Sequence, residues 1–338
     1  MMNLGKVGMI FNGGGFAGAY SVGFVKALAA KGIKPDFVQG ISVGAISAAK
    51  LIGTNWDVGK LEKKWKEIEQ LGSKSIFNGN WRGFLKNLRE SHLFTNEGVA
   101  KILVDDLDLE AVMDSPIKFQ VITFNEKKMA HQIFSNYDFN LRQDSKLMKQ
   151  VMLAAVALQG FLPPVMINEE WHSDGGTSFI GQAIKAKCDT IFILSNTKLC
   201  HGFYADTNQV RWYRRIMLNT KFAGDLLEIR DIKQAIYHGY KLVENNPCQI
   251  FNGFHPLNKS AARKLKKIIR NMKKVLLDQK NIFVPRRIIY LTPANPIPSL
   301  YVLDFNKPCA KSSYPGDITM AIDQTFNLVN NEDFWSKF

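Results

Sequence analysis

The stretch Asp36-Phe37-Val38-Gln39-Gly40-Ile41-Ser42-Val43-Gly44-Ala45-Ile46-Ser47-Ala48-Ala49-Lys50-Leu51 decides the fold. A short apolar run enters it, a Gly-x-Ser-x-Gly sits at its centre, and a helix-like run leaves it. In that setting the pentapeptide reads as a nucleophile elbow, a tight strand-to-helix turn with the serine at its apex. Glycines flank the serine because a Cβ there would meet neighbouring backbone and because the turn needs unusual dihedrals. The Ser42 hydroxyl would stand at a helix N-terminus, where free N–H groups and the helix dipole favour developing negative charge. Taken alone, the pentapeptide also reads as an ordinary glycine-flanked helix start with Ser42 as N-cap. Two other segments decide between the readings.

The first lies upstream. Lys6-Val7-Gly8-Met9-Ile10-Phe11 reads as a buried strand, Asn12-Gly13-Gly14-Gly15-Phe16-Ala17-Gly18 as a glycine-rich turn, and Ala19 to Lys31 as a helix stopped by Gly32. Strand, loop, helix, strand, turn, helix is the opening of an α/β domain with a parallel sheet. The glycine run matches Gly-x-Gly-x-x-Gly, yet a dinucleotide loop wants an acidic residue at the end of the second strand, and Asp36 precedes that strand. No Gly-Lys-Ser/Thr follows, so it is no Walker loop either. An oxyanion loop beside Ser42 is the better reading: backbone N–H groups there would stabilise a tetrahedral oxyanion, with the Val43 N–H as a further donor.

The second lies far downstream. Helices are expected over 57–71, 81–90, 96–107 and 146–158, and strands over 118–124, 129–134 and 190–194. Val165-Met166-Ile167 and Trp171-His172-Ser173 read as a short hairpin leading into Asp174-Gly175-Gly176. Asp-Gly is also a strong type I′ turn signal, but a serine nucleophile needs a base within hydrogen-bond reach. His201, His238 and His255 follow Asp174 in the order of an α/β-hydrolase triad. In that fold, however, several strands precede the elbow, and here Ser42 comes too early. An aspartate is therefore the expected base.

With these three motifs in this order the chain resembles the patatin-like phospholipases over roughly residues 5–195. Phe161-Leu162-Pro163-Pro164, ahead of the aspartate, is also family-like. The resemblance implies a three-layer α/β sandwich with a mostly parallel central sheet. It also implies a Ser-Asp dyad hydrolase cleaving acyl esters of phospholipids or neutral lipids, with Ser42 as nucleophile and Asp174 as base. Gly13, Gly14 and Gly15 would form the oxyanion hole, and no cofactor or metal is called for. Three positions depart from the family pattern. Ala17 stands where an Arg or Lys is usual, Asn12 where an Asp is common, and Ile180-Gly181-Gln182 where Asn and then Pro often follow. The backbone donors remain without the basic residue, so activity is expected, reduced or with an altered headgroup preference; a non-enzymatic or weakly active lipid-binding protein on the same fold, or an acyltransferase, is the alternative.

Composition bounds the rest. The 338 residues are 46% apolar, enough for one large core or two modest ones. Lys and Arg number 44 against 30 Asp and Glu, a net charge of +14 that suits an anionic partner. No nucleic-acid motif accompanies that charge, so an anionic membrane surface is expected and nucleic acid is not. Residues 259–274 carry eight Lys/Arg and no acid, with Leu265, Ile268, Ile269 and Met272 on one helical face. The run Phe203-Tyr204 to Arg211-Trp212-Tyr213-Arg214-Arg215 mixes aromatic and basic residues in a way that suits an interface. Cys188, Cys200, Cys248 and Cys309 show no metal or Cys-x-x-Cys spacing and read as reduced thiols. No signal peptide and no transmembrane span is read, so a cytoplasmic protein with peripheral membrane contact is expected. Helices over 209–218, 225–244, 259–279 and 317–330, with a strand at 287–291, make 196–338 a mainly helical extension packed on a 5–195 catalytic domain. Oligomeric state is not readable.

Overall fold

The computed structural model describes residues 3–77, 92–196, 228, 230–237, 239–244, 286–293 and 318–336. Among the described residues nine strands form one sheet: β1 Val7–Phe11, β2 Phe37–Gly40, β3 Lys118–Asn125, β4 Ala130–Ser135, β5 Val165–Ile167, β6 Glu170–Asp174, β7 Thr190–Leu194, β8 Lys241–Glu244 and β9 Arg287–Leu291. Their order is β5-β6-β3-β2-β1-β7-β9-β8, with β4 also beside β3. The pairs β1–β2, β1–β7, β2–β3, β7–β9 and β8–β9 are parallel, while β3–β4, β3–β6 and β5–β6 are antiparallel.

Every residue of β1, β2, β7 and β9 is buried. That is what near-continuous apolar runs mean in a parallel sheet covered on both faces. The period of two sorts them into two cores. Met9, Phe11, Phe192, Leu194, Ile289 and Leu291 face one, with helices α1 (Ala19–Ala30), α2 (Val43–Gly53) and α3 (Val58–Leu71). Ile10, Ile191, Ile193, Ile288 and Tyr290 face the other, with Ile180 and Ala183 of the Ile180–Lys185 helix and with Ile232 and Ala235. Helices on both faces of a mostly parallel sheet make this the expected three-layer α/β sandwich.

The chain beyond residue 195 does more than pack on the outside. β9 hydrogen-bonds along the whole of β7, and β8 along β9, so a boundary at 195 falls inside one sheet. Helix is expected throughout 225–244, but among its described residues only 228 and 230–237 are helical. Gly239, at φ 92°, turns the chain out of the helix and into β8. The helix expected over 96–107 forms two short pieces, Glu97–Val99 and Ala100–Val104. The Ile318–Asn330 helix lies on α1, where Thr325 Oγ donates 3.0 Å to the Tyr20 carbonyl. The stretches 81–90, 203–215 and 259–279 lie outside the described residues.

β3 aligns the site. On one edge it pairs with β4 from Gln120 to Asn125. On the other it pairs first with β2, which ends with Gly40 opposite Val121, and then with β6, which ends with Asp174 opposite Thr123. β2 and β6 thus approach the same point on that edge from opposite directions.

Candidate active site

Ser42 caps α2 with φ 52° and ψ −133°, a conformation rare outside glycine. Its neighbours make the turn possible. A Cβ on Gly40 would strike Ala45 Cα, and one on Gly44 would strike the Phe11 carbonyl at the end of β1. Ser42 holds the N-cap position of α2 but makes no side-chain cap bond to it, so its hydroxyl is not used as an ordinary N-cap's would be. Its hydroxyl lies beside the Asp174 carboxyl, near enough to pull that group's pKa down against the larger effect of burial.

Asp174 is buried, 9% exposed. Its N–H donates 2.9 Å to the Ala157 carbonyl, and its Oδ1 accepts 2.8 Å from the Gly176 N–H. Burial raises its pKa to about 6, against the opposing pull of Ser42 and the Gly176 N–H. The loop after it is tied back to β2. Gln39 Oε1 accepts 2.8 Å from the Phe179 N–H, and Gln39 Nε2 donates 3.4 Å to the Phe179 carbonyl. A third tie comes from β4, where His131 Nε2 lies 2.9 Å from the Gly175 carbonyl. That carbonyl only accepts, so Nε2 carries the proton; burial keeps the imidazole pKa below its usual value.

The glycine loop lies directly against the serine. A Cβ on Gly13 would sit 2.7 Å from Ser42 Cβ. Gly14 and Gly15 take φ 140° and 53°. Among the described residues the N–H groups of Gly13, Gly14, Gly15 and Val43 donate to no backbone carbonyl. Asn196, just past β7, holds the loop from below: its Nδ2 donates 2.8 Å to the Asn12 carbonyl and 3.0 Å to the Gly13 carbonyl. Ala17 is fully buried in the Gly15–Gly18 turn, so a long basic side chain has no room at this position.

The structure therefore brings Ser42, Asp174 and Gly13–Gly15 to one point. Two histidines that sequence reasoning passed over also lie near this edge. His172 is buried on β6, with Nδ1 2.9 Å from Thr123 Oγ, and burial lowers its pKa. His131 serves Gly175. His201, His238 and His255 lie outside the described residues. Gln39, Asn196 and His131 were not singled out from sequence. The one available signal was a polar residue inside or just after a buried strand. Cys188 is buried away from this edge, its thiol pushed up to about 12 by burial. Among the described residues no cluster of His, Cys, Asp and Glu is placed to hold a metal. No described helix is long and apolar enough to cross a membrane. An open groove of about 520 Å3, lined by Lys6, Asp36, Lys118 and Tyr137, lies at the other end of β1, β2 and β3.

A serine elbow between β2 and α2, with a buried carboxyl and a glycine loop beside it, stands on a mostly parallel α/β sheet. The chain belongs to the patatin-like phospholipases, whose family profile matches residues 9–183, about half its length. It is 26% identical over 177 residues to the Neuropathy target esterase sws of Drosophila melanogaster, and equally to that of Drosophila sechellia. Those matches cover 51% of this chain but only 11% of the relatives, so the chain spans about a tenth of their length. The crystal structure of VipD from Legionella pneumophila aligns with 96% of this chain and 67% of its own, at 14% identity and a TM-score of 0.40.

Proposed function

We propose that this chain is a serine acyl hydrolase that releases fatty acids from lipid esters, with Ser42 as nucleophile and Asp174 as general base. The observation that carries the reading is the placing of a buried carboxyl beside Ser42 and of Gly13 directly against it.

In this mechanism the Asp174 carboxylate takes the Ser42 hydroxyl proton as Oγ attacks the ester carbonyl carbon. The carbonyl electron pair moves to oxygen, and the N–H groups of the Gly13–Gly15 loop and Val43 receive the oxyanion. Collapse breaks the ester C–O bond, and the leaving alkoxide takes the proton back from Asp174. Water then repeats the cycle on the acyl-serine, losing its proton to Asp174 and releasing the fatty acid. A base with pKa near 6 is mostly ionised at neutral pH yet more basic than an exposed aspartate, which suits this proton shuttle.

The family, and relatives that are named esterases, support a lipid ester as substrate. The net charge of +14 favours work at an anionic lipid surface. The decisive assay compares fatty-acid release from phospholipids and neutral glycerides, and fluorophosphonate labelling, for wild type, Ser42→Ala and Asp174→Asn. Release and labelling should vanish in Ser42→Ala and fall about 10²–10⁴-fold in Asp174→Asn. Equal activity in all three proteins ends the proposal. An added alcohol that diverts the acyl group into a new ester would identify transfer alongside hydrolysis.

A further inference from the structure

We propose that Glu228 is a positioning residue that holds the glycine loop and the Asp174 loop in register across Ser42, and that Asn12 is its matched partner. The inference rests on the hydrolase reading above and adds to it a residue from outside the family-matched stretch, which ends at 183.

Glu228 is 5% exposed. Among the described residues, three donors from three separate parts of the fold converge on its carboxylate. Asn12 Nδ2 lies 3.0 Å from Oε1 and 3.4 Å from Oε2, Ser178 Oγ lies 3.1 Å from Oε1, and the Tyr290 hydroxyl lies 3.5 Å from Oε2. Asn12 opens the glycine loop directly after β1. Ser178 sits in the loop that leaves Asp174, one residue before the Phe179 peptide bound by Gln39. Tyr290 belongs to β9, inside the second core. One side chain therefore spans the oxyanion loop, the base loop and the sheet. A buried acceptor with several donors fixes its neighbours more firmly than any one of those bonds would alone.

The pairing also accounts for a departure noted in the sequence. By the family resemblance an aspartate is expected where this chain has Asn12. Beside Glu228 an aspartate would bring two buried carboxylates together, which cannot both stay ionised without a large penalty. The amide instead offers an N–H to the carboxylate. Its own Oδ1 has no partner among the described residues, so the donating edge is the one in use.

The experiment is a swap: Glu228→Gln, Asn12→Asp and the double variant, with Ser178→Ala as a gentler cut in the same network. Each is measured for kcat and KM on a soluble ester, for the rate of fluorophosphonate reaction at Ser42, and for amide exchange in residues 12–18 and 174–179. The two single variants should each lose about tenfold or more in kcat, as small misplacements of catalytic groups do. KM should stay within about twofold. Amide exchange should rise in both loops. The double variant restores a donor opposite a carboxylate with the roles exchanged, and should recover most of the loss, a coupling that simple structural damage would not give. Ser178→Ala should loosen the 174–179 loop while leaving 12–18 nearly unchanged. The proposal is overturned if Glu228→Gln keeps wild-type kcat and exchange, or if the double variant is no better than the worse single one. If the wild type itself leaves Ser42 unlabelled, the hydrolase reading fails. The positioning role then stands or falls on the exchange pattern alone. Should Glu228→Gln fail to fold, Asn12→Asp and its rescue by the second change decide the matter.

Discussion

The elbow and the base loop meet at one point but are held there by different physics. The elbow is shaped by contact. Gly40 lies against Ala45, Gly44 against the Phe11 carbonyl, and Ser42 is left at φ 52° between them. What fixes it is steric exclusion, by Ala45 beside the serine and by the backbone at the end of β1. The base loop is held by hydrogen bonds whose partners are spread along the chain. Ala157 holds the Asp174 N–H, Gln39 both polar groups of the Phe179 peptide, His131 the Gly175 carbonyl and Glu228 the Ser178 hydroxyl. A turn set by steric exclusion should fail abruptly when a methyl is added. A loop held by several weak bonds should fail by degrees.

The sharpest way to break this contrast is Gly44→Val. Its side chain has nowhere to go but into β1, so a loss of about 3–5 kcal/mol in urea unfolding and loss of Ser42 labelling are expected. Near-normal labelling in that variant would mean the elbow tolerates what the contacts forbid.

Asp174→Asn comes next, with two readouts of opposite sign. Activity should fall as stated above, while the thermal midpoint should rise. The folded carboxyl has its pKa raised to about 6, above the value of 3.8 for an unburied aspartate. Its contribution to stability is therefore fully present below the unfolded value and is lost as pH climbs through the folded one. At neutral pH the ionised, desolvated group costs roughly 3 kcal/mol. Asparagine keeps the acceptor for Gly176 and removes that cost. A lowered midpoint would show that ionised Asp174 supports the fold.

The same shift predicts the pH profile. Ionised Asp174 is the active form, so kcat/KM on a soluble ester should be flat above about 6 and fall tenfold per unit below it. A rate that holds level well into the acid range would remove Asp174 from the role of base.

The smallest expected effect is that of Gln39→Leu. The Phe179 N–H would lose its acceptor in a buried place, at about 1–3 kcal/mol. The loop would loosen around an intact elbow, so the loss of activity should be about tenfold. A complete loss would make the base loop as brittle as the elbow and erase the distinction.

The same contrast explains what could be read from the chain and what could not. The elbow glycines, the glycine loop and Asp174-Gly175-Gly176 are legible because each is a local requirement written in adjacent residues. The strands β1, β2, β3 and β7 are legible because their residues are buried on both faces or alternate. Gln39, Asn196, His131 and Glu228 carry no such mark. Their importance lies in which distant peptide or side chain they meet. β8 escaped notice because Lys241–Glu244 follows a helical run with only Gly239 to signal the break.

The sequence by itself determined the order of strand, glycine loop, helix, strand and serine turn, and with it an α/β sheet carrying Ser42 at its edge. Hydrophobic period and glycine sterics act over a few residues and need no partner to be seen. Only the tertiary structure decided that Asp174 arrives on the same edge of β3 as Ser42, because strand register joins residues far apart in the chain. It also decided that the region past residue 195 completes the sheet through β8 and β9. Through Glu228 that region reaches back to Asn12 and Ser178, because a buried carboxylate must find its donors wherever the fold supplies them.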